Sequence, residues 1–401
     1  MHTYDYALSL TSQFYFCGVP FRLDTSPKCS VNCLYCFAMT RGGRRTSRSL
    51  IANPIKLRRK FDKLIANNEA YSDVNSELLS RGVPVHFGGV SDPFSTISTT
   101  SVSRAILEIL SEYKIPTILS TKNTDALTSE KTLRILEKME NIVIQISISS
   151  ANKRSTSLIE PNAPTPSSRL KAIKFLSALG KHVVVRLQPL IPWLIKENEV
   201  ELIPQVASSG AKHVIVEFLK LPVEKNLSRM NAFFAATSWN GYEFYKAKGA
   251  RLIGREWLLP AEYKWEALQP IISAIRAHGM TYGAADYGLN HLGDTDCCCG
   301  VDKVSGFSNW FSGNFSKVIK SASPGHITIK QMEQYWYPEG SIKRVMNSNS
   351  RKHDQHNIKD YLRDKWNTPN TINAPNEYLG ISWKGDYDGE QNCVYYKENT
   401  C

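Results

Sequence analysis

With 401 residues, 42% of them hydrophobic and 21% charged, the chain excludes wholesale disorder and can bury the core of two or three domains, or of one barrel with an appended region. No apolar run reaches the roughly 18 residues of a membrane-spanning helix, and the opening MHTYDYALSLTSQFYF lacks the basic-then-apolar layout of a secretion signal. A cytoplasmic protein without a membrane partner is expected, and a net charge of +12, from 49 basic and 37 acidic residues, turns attention to polyanionic partners.

In chain order, a first short strand is expected just before CSVNCLYC (29–36), where Cys29, Cys33 and Cys36 fall at spacings of four and three. Nine cysteines in a cytosolic chain point to metal ligands or reactive thiols more than to disulfides. Cys297, Cys298 and Cys299 form a second group, and Cys17, Cys393 and Cys401 stand apart. Directly after the first group, residues 39–61 carry Arg41, Arg44, Arg45, Arg48, Lys56, Arg58, Arg59 and Lys60 with no acidic residue. Such a block reads either as a solvated face or as a nucleic-acid contact that gains affinity by counterion release.

Five β-branched runs bounded by turn residues follow: 83–89, 116–121, 142–149, 182–190 and 212–219. Helical patterns separate them at 101–113, 129–139 and 167–180, the last with Leu170, Ile173, Leu176 and Leu179 on one face, serine at its start and Gly180 past its end. Regular alternation implies βα units and a parallel sheet with about six units by residue 220, and chemistry at the carboxyl ends of the strands. Residues 221–260 are rich in aromatic side chains and suit a lid or a helical pair packed on the barrel. A helix (261–278), a seventh strand (280–286), the second cysteine group and a closing hairpin (378–397) complete the pattern.

Zinc sites commonly use four ligands in two pairs, whereas a [4Fe–4S] cube held by three cysteines leaves one iron open for cofactor chemistry. The Cys-x3-Cys-x2-Cys spacing with an aromatic before the last cysteine resembles the radical S-adenosylmethionine (radical SAM) superfamily. There SAM chelates the fourth iron, and an electron from the cube cleaves its C–S bond to give a 5′-deoxyadenosyl radical. The resemblance implies Cys29, Cys33 and Cys36 as ligands, with Tyr35 near the adenine. GGVSDPF (88–94), STKN (120–123), the stretch 147–173 and RLQPLIP (186–192) further resemble the spore photoproduct lyase-like, DNA repair photolyase-related group over about residues 20–220. Carried over residue by residue, this implies cofactor contacts from Gly88, Gly89, Ser91, Asp92, Lys122, Ser149 and Arg169. Glycine lets backbone approach a ligand closely, and a cation at Lys122 would compensate a carboxylate. Glu160 and Pro161 are read as loop-shaping residues. The chain departs from the group at Gly89, where a hydrogen-donating cysteine stands just before the Ser-Asp pair, and at Phe37, where the group has tyrosine.

The departure leaves the hydrogen-donor role open, and Cys298 and Cys299 are catalytic candidates for it. Two other uses compete: an auxiliary iron–sulfur or metal site at Cys297 and Cys299, helped by Cys393 or Cys401, and a buried turn without chemistry. In extended backbone only Cys297 and Cys299 would share a face. The resulting expectation is an α/β protein, a partial (β/α)6 radical SAM barrel with a C-terminal α+β extension. Its parts are a core at 1–220, a lid or connection at 221–302 and an extension at 303–401, the chain from about residue 221 onward covering the active-site mouth. A [4Fe–4S] cluster, SAM, a reducing partner such as flavodoxin or ferredoxin, and nucleic acid as substrate go with it. A peptide or small-metabolite substrate, or a nucleic-acid-binding protein with a structural cluster, are the alternatives.

Overall fold

The computed structural model describes residues 2–4, 7–36, 38, 50–66, 73–223, 228–346, 352–371 and 374–398. Phe37, Arg41, Arg44, Arg45, Arg48 and Cys401 lie outside the described residues. An eight-stranded sheet is built from β1 (Leu8–Leu10), β2 (Phe21–Leu23), β3 (Val85–Phe87), β4 (Thr117–Thr121), β5 (Ile142–Ser147), β6 (His182–Leu190), β7 (His213–Phe218) and β8 (Thr281–Ala284). Spatial order follows chain order throughout, and every neighbouring pair is parallel except β1 against β2. The six expected βα units and the seventh strand are therefore present.

Parallel strands need return crossovers, and the intervening sequence supplies helices. Among them are α1 (Pro54–Ala66), α2 (Ile97–Glu112), α3 (Glu130–Lys138), α4 (Lys153–Ile159) and α5 (Pro166–Ala178), and a further helix at Ile203–Ser208 connects β6 to β7. Helix α2 starts with a capping box in which Thr96 and Thr99 satisfy each other's backbone N–H. For α5 the cap is Thr165, with Pro166 in the first turn, and Gly180 follows at φ 74°. Leu179 is largely outside the core, while Ile173 and Leu176 are fully buried.

Each strand sends alternate side chains to opposite faces. Leu119, Ile144, Val185 and Val216 join Ile106, Leu110, Ile173 and Leu176 of the helices in the main core. Ile118, Val143, Val184 and Ile215 face the barrel lumen and form a separate cluster with Val19, Cys297, Cys299, Val301 and Phe307. All residues of β4 and β5 are buried, as a sheet covered on both faces requires.

The sheet does not close on itself, and residues 294–315 bridge its two edges. Tyr282 of β8 exchanges hydrogen bonds with Asp294, while Phe311 N and Phe315 N donate to Gly18 O and Tyr15 O beside β1. Between these anchors the segment crosses the amino-terminal end of the strands: Asn309 Nδ2 donates to Arg81 O just before β3, and Gly306 sits against Asn141 just before β5. This part of the expected extension thus covers the mouth opposite the carboxyl ends.

The aromatic stretch forms a helical pair, α6 (Ser228–Thr237) and α7 (Gly241–Ala247), followed by α8 (Ala261–Ala277). Tyr245 is buried and its hydroxyl donates to Leu219 O, anchoring the pair just past β7. The C-terminal region adds α9 (Phe315–Ser321), α10 (Ile358–Trp366) and an antiparallel sheet of β9 (Gly325–Ile327), β10 (Ser382–Tyr387) and β11 (Cys393–Lys397). Cys393 is buried there, its carbonyl accepting from Trp366 Nε1 at 2.7 Å. Among the described residues, no helix is long and apolar enough to cross a membrane.

Candidate active site

The loop 29–36 follows β2 at the carboxyl end of the parallel sheet. Its shape is set locally by Asn32 in the left-handed region (φ 60°) and by a turn in which Cys36 N donates to Cys33 O. Contacts to other elements hold it: Leu34 N donates to Ile159 O at 2.9 Å, and Asn162 Nδ2 to Ser30 O at 2.9 Å. Cys29, Cys33 and Cys36 lie close enough for each charge to act on the others. Burial pushes the Cys33 thiol up to about 12, against the pull of Lys122, and raises Cys29 as well. Loading a cation here therefore releases protons.

Under this loop lies a buried ionic hub centred on Glu160, which sequence reasoning had left as loop shape. Arg169 Nη2 stands 2.5 Å from Glu160 Oε2, Lys122 Nζ 3.9 Å from Oε1, and the Tyr35 hydroxyl donates to Oε1. Burial alone would raise the Glu160 carboxyl, but Arg169, Lys122 and Tyr35 together hold it below the usual carboxylate range. Arg169 is fully buried and also donates from Nη1 to Ser147 O at the end of β5 and from Nε to Pro164 O. It is no surface arginine. At 3.9 Å the Lys122 ammonium is too far for a hydrogen bond to Glu160, which leaves its donors available. Tyr35 offers its ring to Lys122 at 5.8 Å, while its hydroxyl is engaged by Glu160.

The turn after β3 is shaped by Gly88 at φ 90°, where a β-carbon would stand 2.4 Å from Ser120 O. Asp24, at the end of β2, accepts from Val90 N at 2.8 Å and Ser91 N at 3.2 Å, and Ser91 Oγ donates to Ser26 O. Asp92 accepts from Phe94 N, Thr121 Oγ1 and Lys122 N, joining the β3 and β4 loops. The side chains of Ser91 and Asp92 thus tie loops together, while Gly88 and Gly89 allow Ser120, Pro93 and Arg22 to pack closely on the turn. Ser149, two residues past β5, has a buried Oγ without a hydrogen-bond partner.

Below this end the lumen is lined by a polar chain that sequence reasoning missed. His86 Nε2 meets Ser120 Oγ at 2.7 Å, Ser120 donates to Gln145 Oε1, and Arg186 reaches both Ser120 Oγ and Gln188 Oε1. Gln188 Nε2 continues to Glu217. Burial and Arg186 push His86 down to about 3, so it is neutral. A single polar residue inside apolar runs, as Gln145 in IVIQIS or Arg186 in HVVVRL, was the available signal.

The second cysteine group packs in the same lumen, against Ile118, Val143, Val184 and Ile215. Cys298 O is bonded at 3.0 Å to Nε2 of His213, the first residue of β7, and packs on Gly283, the third residue of β8. The backbone at 297–300 turns, with Gly300 at φ 70°, and is not extended. All three sulfurs consequently lie within 4.8 Å of one another, where a shared face had been expected for Cys297 and Cys299 alone. Cys393 is not among them, being enclosed in the C-terminal sheet. Cys17 is likewise not among them, although its neighbour Gly18 packs on Cys297, where a β-carbon would stand 2.8 Å from Sγ.

No family model matches the chain. An uncharacterized protein of Acidianus two-tailed virus is 28% identical over 107 residues, 25% of this chain and 33% of that relative, so the match spans a third of the relative's length. A mutant of spore photoproduct lyase superposes with a TM-score of 0.50 at 14% identity, covering 65% of this chain and 75% of that one. The chain has the fold of spore photoproduct lyase, a radical SAM barrel. SuiB of Streptococcus suis, bound to S-adenosylmethionine, aligns over 67% of this chain and 50% of its own length, at 15% identity and a TM-score of 0.42.

Proposed function

We propose that the chain is a radical SAM enzyme acting on nucleic acid. The observation that carries this reading is the gathering of Cys29, Cys33 and Cys36 on one loop at the carboxyl end of the first parallel strand. Lys122 is a cation beside Cys33. That donor set fits a [4Fe–4S] cluster with one open iron, and Ser149 Oγ, buried and without a hydrogen-bond partner among the described residues, fits a polar cofactor. When bound, cluster and SAM supply reductive radical chemistry that removes hydrogen from an unactivated carbon.

The chain's own residues do the positioning. Cys29, Cys33 and Cys36 give up protons to become ligands, and Lys122 offers charge to a carboxylate in a poorly solvated place. Glu160 keeps Lys122, Arg169 and Tyr35 in register beneath the loop. The lumen chain from His86 to Glu217 offers hydrogen bonds to a substrate group. A flavodoxin- or ferredoxin-type protein would deliver the electron. The nucleic-acid assignment draws on the +12 net charge and on exposed Lys56 and Arg59 of α1 close in sequence to the cysteine loop.

Anaerobic reconstitution followed by incubation with reductant and SAM should yield 5′-deoxyadenosine. None from fully loaded protein would leave a nucleic-acid-binding protein with a structural cluster. Formation of that product without any salt-dependent affinity for DNA or RNA would redirect the reading to a peptide or small metabolite.

A further inference from the structure

We propose that Cys17, Cys297, Cys298 and Cys299 form an all-sulfur site for one thiophilic divalent ion, zinc by its chemistry, that staples shut the amino-terminal mouth of the barrel. The sulfurs of residues 297–299 lie within 4.8 Å of one another. A tetrahedral ion with bonds of about 2.3 Å needs sulfurs about 3.8 Å apart, within easy reach of that spacing. An iron–sulfur cube holds its thiolates outside its corners and spreads them farther, so the geometry favours a single ion over an auxiliary cluster. The fourth thiol is offered by the loop between β1 and β2, where a β-carbon on Gly18 would stand 2.8 Å from Cys297 Sγ; Cys17, next to Gly18, lies outside the 4.8 Å group and would close onto the ion on loading.

The loop is already held in the liganding shape. Asp302 accepts from Asp296 N and Cys297 N at 3.1 and 3.0 Å, and Gly300 N donates to Cys297 O at 2.8 Å. His213 uses both ring nitrogens, on Cys298 O and on Thr281 Oγ1, so the ligand set is sulfur alone. Val19, Val301 and Phe307 pack around the group, as suits a closed structural site. The ion would join the loop beside β1 to the segment anchored on β8, which are the two open edges of the sheet.

The test uses the full chain with Cys29, Cys33 and Cys36 replaced by alanine, reduced and anaerobic, titrated with Co2+ as the probe. One equivalent should bind with thiolate-to-cobalt charge-transfer absorption, be displaced by Zn2+, and survive Cys393→Ser. Hydrogen-bonding partners around metal sites are worth about 10–100-fold in affinity, so losing a ligand through Cys17→Ser or Cys299→Ser should cost at least that much. If these variants misfold, the unaltered chain still decides: Zn2+ should protect Cys17 and Cys297 to Cys299 from alkylation, read by mass spectrometry. Absence of stoichiometric cobalt binding, absence of that protection, or about four irons per chain after reconstitution of the alanine variant would each overturn the proposal.

Discussion

Arg169 Nη2 lies 2.5 Å from Glu160 Oε2, and neither side chain is exposed. Removing one partner strands the other's charge in the interior, so Arg169→Met should cost about 3–5 kcal/mol. Glu160 is held below its unfolded value of about 4.3, so the stability it contributes is present above that pH and lost as pH falls through the lower folded value. Arg169→Met should therefore also weaken the acid limb of the stability profile. Urea unfolding of metal-free protein between pH 3 and 7 reads both effects. A loss below about 1 kcal/mol would show that Lys122 alone compensates Glu160.

Asp24 is displaced the other way. Burial raises its carboxyl to about 7, against two backbone N–H donors and Arg22. Because the folded value lies above the unfolded one, this term is fully favourable below about pH 4 and is lost as pH rises through about 7. Asp24→Asn keeps an acceptor for Val90 N and Ser91 N and removes the buried charge. It should stabilise the protein by a few kcal/mol, at most about 4, at pH 8, and much less at pH 5. Thermal melts at the two pH values check this; an equal shift at both would refute it.

Gly88 and Gly89 should respond unequally to alanine. At Gly88 a β-carbon meets the Ser120 carbonyl at 2.4 Å with φ at 90°, and backbone cannot yield cheaply. At Gly89 the obstacle is Arg22 Cδ at 2.9 Å, part of a flexible side chain. Gly88→Ala should cost about 2–3 kcal/mol or more and Gly89→Ala clearly less, measured by denaturant midpoints.

Lys56 and Arg59 test the substrate assignment. If α1 contacts duplex phosphates, replacing both by alanine should reduce the slope of log affinity against log salt by about 1.8. Fluorescence anisotropy with a labelled duplex at several salt concentrations gives the slope, and an unchanged value would take α1 out of the contact.

Much of the barrel was readable because its cues are local. The run 182–190 coincides with β6, and 116–121 and 142–149 contain β4 and β5, since β-branched runs between turn residues and capped helices are properties of adjacent residues. The Cys29 to Cys36 spacing is equally local. Glu160 was not readable as a hub, because its partners Tyr35, Lys122 and Arg169 come from three different loops and helices. His86, Gln145 and Arg186 each looked like an isolated polar residue until neighbouring strands aligned them.

The sequence by itself determined the order of strands and helices, the presence of three thiols on one loop, and the crowding of three more at 297–299, because each depends only on residues near in the chain. Tertiary structure alone decided that the loop carrying Gly18 packs on the second group, that this group lies toward the amino-terminal end of the strands, and that Glu160 carries the charge balance under the first. The physical reason is that electrostatic and ligand contacts depend on distance in space, and the curved sheet with its bridging segment 294–315 sets those distances.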